Sequence, residues 1–209
     1  MATELEAGGA RPQVSNYKGK QFKHIKYTNF KNLEKPLVNI LRGVTPSMHA
    51  VVFDIDETIL INDPKIDACY NARPNPGMMK IYRLCLRLQI AVYFVTARRR
   101  SDDNYKWTRD QLQCIGAGKY AELHMCPESY RASPAKISEF KKRARARISH
   151  KSGRRIVLNA GDQWTDTTQI SCSKELNMLA AQDNKSYWLF EPLDREVMWQ
   201  LKLPDRGGY

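Results

Sequence analysis

Asp54 and Asp56 stand one residue apart directly after the wholly apolar run Ala50–Phe53, and Thr58 and a second apolar stretch follow them. Two carboxylates so placed repel each other and resist ionising together unless a cation or a shared proton relieves them. A hard divalent ion such as Mg²⁺ is the ordinary relief, because it binds through one or two carboxylates and keeps its other positions for water and phosphate oxygens. Three further groups stand at similar places. Thr96 follows the apolar run Ile90–Val95, Asp162 and Asp166 follow the run Ile156–Leu158, and Lys136 and Lys141 lie in a basic stretch between them. A hydroxyl and backbone N–H groups at a helix start, as at Thr96, suit an anion.

The elements that must position these groups are legible as periodicity. Ala50–Phe53 and Ile90–Val95 read as strands buried on both faces, as in a parallel sheet covered by helices. Between them, Asn75-Pro76-Gly77 opens a helix whose apolar positions Met78, Ile81, Tyr82, Cys85, Leu86 and Leu88 keep helical spacing, and Asn62 to Pro76 reads as a loop. Strand, helix and strand in that order form a right-handed unit, so Thr96 emerges at the same sheet edge as Asp54, where open α/β sheets bind ligands. A helix over about Asp102–Cys114, a short strand over Glu122–Cys126, and strands over Arg155–Asn159 and Tyr187–Phe190 continue the alternation. Ile137, Phe140, Ala144 and Ile148 predict an amphipathic helix with a basic outer face. If Ser133 caps it, Lys136 lies in its first turn; if Ser138 does, Lys141 does. Lys141 borders the apolar stripe, which aims it inward.

The string Phe53-Asp54-Ile55-Asp56-Glu57-Thr58-Ile59-Leu60 resembles motif I of the haloacid dehalogenase-like (HAD) hydrolases, and among them most resembles the class III acid phosphatases, subfamily IIIB. Phe94-Val95-Thr96-Ala97-Arg98 is similar to motif II, although that group usually has glycine where Ala97 stands. Phe140-Lys141-Lys142, with Arg145 and Ile148, resembles the motif III pattern, and Gly161-Asp162-Gln163-Trp164-Thr165-Asp166 resembles motif IV. The likeness runs from about Ala50 to Asp166 and leaves both ends uncovered. It implies a three-layer, Rossmann-like, doubly wound parallel sheet, and a hydrolase of phosphomonoesters. In that scheme Asp54 is the nucleophile, Asp56 the acid and base, and Thr96 and Lys141 hold the transferred oxygens. Mg²⁺ is bound by Asp54, the Asp56 backbone carbonyl and Asp162, with Asp166 orienting the shell. Only 37 residues separate Thr58 from Thr96 and 44 separate Thr96 from Lys141, so the expected fold has no cap domain or a minimal one.

Composition frames the rest. Apolar content of 42% and charged content of 27% fit a globular chain, whereas the net charge of +12 points to polyanionic partners or a phosphate-bearing substrate. Ten lysines and arginines lie between Arg131 and Arg155 against one acid, Glu139; through the helix at 134–149 they make nucleic acid a candidate partner. Five cysteines without a Cys-x-x-Cys pair read as reduced thiols of an intracellular protein. No apolar run is long enough to span a membrane, and Met1–Ala10 lacks the pattern of a secretory leader. The expected location is the cytoplasm, the nucleus being compatible, and an oligomer is left open. The expected division is a basic, partly disordered arm over 1–45, a phosphatase domain over 46–192 and a tail over 193–209. Two other functions fit the same residues: a polynucleotide-end or phosphoprotein phosphatase, and a non-enzymatic nucleic-acid-binding protein.

Overall fold

The computed structural model describes residues 13–17, 20–62, 71–130, 133–163, 166, 185–190 and 197–204. In chain order its elements are β1 (Gln13–Tyr17), β2 (Lys20–Tyr27), α1 (Phe30–Arg42), β3 (His49–Phe53), β4 (Leu60–Asn62), β5 (Ala72–Pro74), α2 (Pro76–Arg87), β6 (Ala91–Arg99), α3 (Asp102–Cys114), β7 (Glu122–Cys126), α4 (Pro134–Ser152), β8 (Arg155–Gly161), β9 (Tyr187–Phe190) and β10 (Val197–Lys202). The main sheet has the order β1-β2-β9-β10-β8-β3-β6-β7. From β10 to β7 all neighbours are parallel, and β9, β2 and β1 extend the sheet antiparallel on the β10 side. The fold is therefore the expected α/β, Rossmann-like, doubly wound one.

Two apolar layers flank the sheet. One gathers Leu33, Leu37 and Leu41 of α1, Met78, Tyr82 and Cys85 of α2, and Leu112 of α3 against Val51, Phe53 and Phe94. The other packs Ala144 and Ile148 of α4 against Ala50, Val52, Tyr93 and Val95. Adjacent residues of β3 thus face opposite layers, which is why its sequence is apolar without alternation. The chain moves outward from β3 through β6 to β7 and then returns over the opposite face to β8. The strand order reverses between β3 and β8, and the carboxyl ends of these two strands form the crevice at that switch point.

Several elements differ from the sequence expectation. Lys20–Tyr27 is a strand of the main sheet, with His24, Ile25 and Tyr27 buried, so this part of the expected arm is integral to the core. Its mixture of lysines and rings serves cross-strand packing: Lys26 pairs with Trp188 on β9 and lies 5.5 Å from its ring centroid. The expected tail contains β10, which inserts between β8 and β9; its buried Gln200 and Lys202 obscure the apolar signature of a central strand. The loop after Asn62 begins and ends as the hairpin β4–β5. Helix α1 starts at Phe30, capped by the Asn29 side chain on the Asn32 N–H, within the stretch expected to be an arm. Cys114 is disulfide-bonded, whereas Cys85 and Cys126 are free and buried, so the expectation of wholly reduced thiols does not hold. The expected disorder over the first residues and the second half of motif IV, Trp164-Thr165, lie outside the described residues. Among the described residues between Thr58 and Thr96, only the β4–β5 hairpin, α2 and β6 are found.

Candidate active site

Asp54 leaves the end of β3 in an extended conformation and donates its backbone N–H to the Ala160 carbonyl on β8, at 2.9 Å. The chain then winds through one wide helical turn, Ile55–Ile59, in which Glu57 takes a left-handed φ of 53°. A side-chain hydrogen bond holds this strained residue: its Oε1 accepts the Asn62 N–H at 3.0 Å. The turn sends Asp54 and Asp56 in different directions. Asp54 is 6% exposed and faces β8, whereas the Asp56 carboxylate points to the β6 side and keeps a third of its surface open.

Around Asp54 the structure assembles a buried cluster. Lys141 donates from Nζ to Asp54 Oδ1 at 2.8 Å and to Asp166 Oδ1. Carboxylate oxygens of Asp54, Asp162 and Asp166 all lie within 4.8 Å of one another. Gly161 permits this closeness, since a Cβ there would fall 2.2 Å from Asp166 Cβ. Asp162 Oδ2 accepts the Gln163 side-chain amide, and Asp166 Oδ2 accepts the Gln163 backbone N–H, each at 2.8 Å.

The electrostatics follow from this crowding. Burial pushes the Asp54 carboxyl well above the usual range; Lys141 opposes the shift, and Asp166, Asp162 and Asp56 add to it. Burial, then Asp166, raise Asp162 to about 7 against the pull of Gln163, Lys141 and Lys202. Burial alone would lower Lys141, but Asp166 and Asp54 outweigh it and hold the ammonium charged. Among the described residues, three carboxyl groups share one ammonium in the contact shell; with all three ionised, the excess would be two negative charges, which a divalent cation would balance. Hard oxygen donors at this density suit such an ion, so the residues present fit a metal centre.

Asp56 is in the opposite situation. Burial would raise it, but the two hydrogen bonds and the charge of Arg98, then Asn62 and Lys141, bring its pKa below the ordinary carboxylate value. Arg98 donates from Nε to Oδ2 at 2.8 Å and from Nη2 to Oδ1 at 2.6 Å, and Asn62 Nδ2 adds a third bond at 2.9 Å. The guanidinium is stacked 4.6 Å from the Trp107 ring centroid and reaches Thr108 Oγ1 at 3.3 Å.

Thr96 ends the buried part of β6, one strand from Asp54, and its hydroxyl accepts the Arg98 N–H at 3.2 Å. The pairing of β6 with β7 slips between Thr96 and Arg99, a bulge that turns Arg98 toward Asp56. Ala97 is not among the described non-glycine residues with positive φ, which are Glu57, Asn71 and Gln89, so this backbone needs no glycine. Of the two lysines, Lys141 joins the acids and Lys136 stays exposed in the first turn of α4. Ser133 nonetheless occupies the N-cap position, without a capping bond from its side chain. Lys141 thus reaches the site from two turns inside, through the inward face it shares with Ala144, Arg145 and Ile148. Sequence spacing brought Asp54, Asp162, Asp166 and Lys141 to one edge; the Asp56–Arg98 fork had no local signal, because its partners are 42 residues apart.

The sequence model of HAD superfamily subfamily IIIB, the acid phosphatases, matches residues 7–193. The chain belongs to this family. It is a phosphatase and a phosphomonoester hydrolase. Among solved structures it is similar to the class C acid phosphatase from Bacillus anthracis, with 20% identity, a TM-score of 0.53, and coverage of 73% of this chain and 72% of that one. The same enzyme with tungstate bound aligns at 18% identity and a TM-score of 0.52, covering 74% of this chain and 68% of that one. At these identities the likeness concerns the fold. A search of the curated proteins finds no match. Among the described residues, no helix is long and apolar enough to cross a membrane.

Proposed function

We propose that this phosphatase works through a phosphoryl group carried transiently on Asp54, with Mg²⁺ as its ion. The observation that carries the reading is the Lys141 ammonium, shared between Asp54 and Asp166 inside the acid cluster. It opposes the burial that disfavours the charged form of the proposed nucleophile, and it stands where the oxygens of an incoming phosphate need a cation. When bound by Asp54, Asp162 and the Asp56 carbonyl, Mg²⁺ supplies positive charge that screens Asp54 and polarises the phosphate. Asp54 attacks phosphorus in line, the leaving oxygen departs on the opposite side, and water later releases phosphate from the aspartyl phosphate, an acyl phosphate, restoring the carboxylate. Asp56 is the proposed proton carrier for the leaving oxygen and then for that water. Its fork with Arg98 means that it must exchange a guanidinium contact for the substrate. Thr96 is proposed to hold a transferred oxygen, with Lys141, through its hydroxyl.

The test is Mg²⁺-dependent release of phosphate from an aryl phosphate. Activity that disappears in excess chelator and returns with Mg²⁺ supports the reading, and full activity in chelator refutes the metal assignment.

A polymeric substrate is the second reading, favoured by the exposed cations of α4. Arg143 is engaged locally by Glu139 and Tyr130, which leaves Lys142, Arg147 and Lys151 for phosphate contacts. Activity on a 5′-phosphorylated oligonucleotide should then fall steeply with salt, because each phosphate contact releases counterions, and replacing those three residues by Gln should flatten the slope. Equal salt responses for oligonucleotide and aryl phosphate favour a small-molecule substrate. The non-enzymatic alternative gives way to the family assignment. A cytoplasmic location rests on the two free buried thiols, and the bonded Cys114 is the observation against it.

A further inference from the structure

We infer that Asn159 and Gln200, two buried amides outside the acid cluster, are positioning residues that set the place of Lys141 by fixing Asp166. The inference rests on the proposed role of Lys141. Gln200 belongs to β10, beyond the residues matched by the family, so no part of the motif pattern supplies it.

Asn159 and Gln200 are direct partners in the parallel pairing of β8 with β10, and they are 2% and 0% exposed. Valine or leucine would pack such a position without desolvating polar groups. What the amides provide is direction. Gln200 Oε1 accepts from Asn159 Nδ2, which turns that amide so that the same nitrogen also donates to the Asp166 carbonyl at 2.9 Å. Arg145 Nη1 donates to the same carbonyl at 2.7 Å. Asp166 is thereby gripped at both ends: its carbonyl by Asn159 and Arg145, and its carboxylate by Lys141 and the Gln163 N–H.

Lys141 and Arg145 lie one turn apart on the same face of α4. The helix therefore meets Asp166 with an ammonium on its carboxylate and a guanidinium on its carbonyl, and the amide pair closes the grip from the sheet. Lys141 divides its bonds between Asp166 and Asp54, so a displaced Asp166 draws the ammonium off the nucleophile. The chain of contacts runs Gln200, Asn159, Asp166, Lys141, Asp54, and each link is a hydrogen bond in the structure.

The experiment compares kcat, KM and thermal unfolding for wild type, Gln200→Met, Gln200→Glu and Leu201→Ala on an aryl phosphate with Mg²⁺. Gln200→Met keeps length and volume but removes the acceptor. Gln200→Glu keeps an acceptor oxygen and should restore turnover. Leu201→Ala weakens the same strand without touching the network. Gln200→Met should lower kcat about tenfold with KM little changed, the scale typical of residues that orient a reactive group. Leu201→Ala should lose thermal stability and keep its kcat. If Gln200→Met does not fold, Gln200→Asn, which withdraws the amide by one methylene, should give the same loss of kcat. Unchanged kcat in Gln200→Met, or a loss in Leu201→Ala as large at equal stability, overturns the inference. If Lys141→Ala silences the enzyme while Gln200→Met does not, only the positioning role fails. If Lys141→Ala leaves turnover intact, the parent reading fails with it.

Discussion

The two acids of motif I differ by two positions in sequence and by nearly everything in surroundings. Asp54 lies in a buried group of three carboxylates and one ammonium, where its charged form is disfavoured. Asp56 lies in a half-open fork with Arg98, where its charged form is favoured. Divergent environments for neighbouring titratable groups are how one site separates a nucleophile from a proton carrier. Here the difference in surroundings is produced by backbone geometry: the turn at Ile55–Ile59, with Glu57 in the left-handed region, aims one acid at β8 and the other at β6. The inner cluster is short of positive charge, and the outer pair is balanced. Ions and phosphate should therefore act on the first, and the second should set the pH profile of turnover.

The largest effect should come from removing the inner acid. Asp54→Asn should lower turnover by about a thousandfold or more. It should also raise the unfolding temperature of the metal-free protein, because one of three crowded carboxylates is gone. Loss of activity together with lost stability would break the contrast, since it would make Asp54 a structural residue.

The cation of the cluster comes next. Lys141→Ala should reduce kcat by about a hundredfold or more, while Lys136→Ala should stay close to wild type, because only the former stands inside the site. Similar losses in both would locate the decisive positive charge on the helix surface.

A smaller effect concerns pH. Asp162 carries a pKa raised to about 7 from a model-compound value of 3.8, so between those values the native state holds a proton that the unfolded chain has lost. Its contribution to stability is complete below the lower value and disappears as pH rises through the upper one. In chelator, wild type should lose stability relative to Asp162→Asn as pH rises from 3.8 to about 7, and Mg²⁺ should restore it most at the alkaline end. A difference of opposite slope would show that Asp162 is ionised without the metal.

The smallest effect belongs to the outer pair. Arg98→Met should raise the pKa of Asp56 and shift the acid limb of the kcat profile upward by about one pH unit, with a several-fold change in peak turnover. An unmoved limb would sever Asp56 from the profile.

The inner cluster was the more legible of the two regions. Its residues follow apolar strands, and the βαβ rule carries the ends of such strands to one edge whatever the loops do. Lys141 could be chosen over Lys136 by the resemblance of Phe140-Lys141-Lys142 to motif III, together with the apolar stripe, although the helix begins at Ser133 and not at Ser138. The Asp56–Arg98 fork was not legible, because it depends on a bulge in β6 and a turn after β3 that no local pattern specifies. Strand β10 was missed for a related reason. Gln200 and Lys202 are polar where a central strand is ordinarily apolar, and Gln200 accepts from Asn159, which also donates to the Asp166 carbonyl. The N-terminal strand was read as an arm because lysines alternating with rings look alike on a half-covered strand and on a solvated segment.

The central claim is that phosphoryl passes through Asp54, and acid-quenched mass spectrometry tests it directly. Enzyme mixed with an aryl phosphate and Mg²⁺, quenched in acid within a turnover and digested, should yield a peptide containing Asp54 that carries one phosphoryl group. The modification should be absent in Asp54→Asn and should accumulate in Asp56→Asn, where the water is not activated. Rapid turnover by wild type with no phosphoryl group on Asp54, or with the group on another residue, would contradict the account.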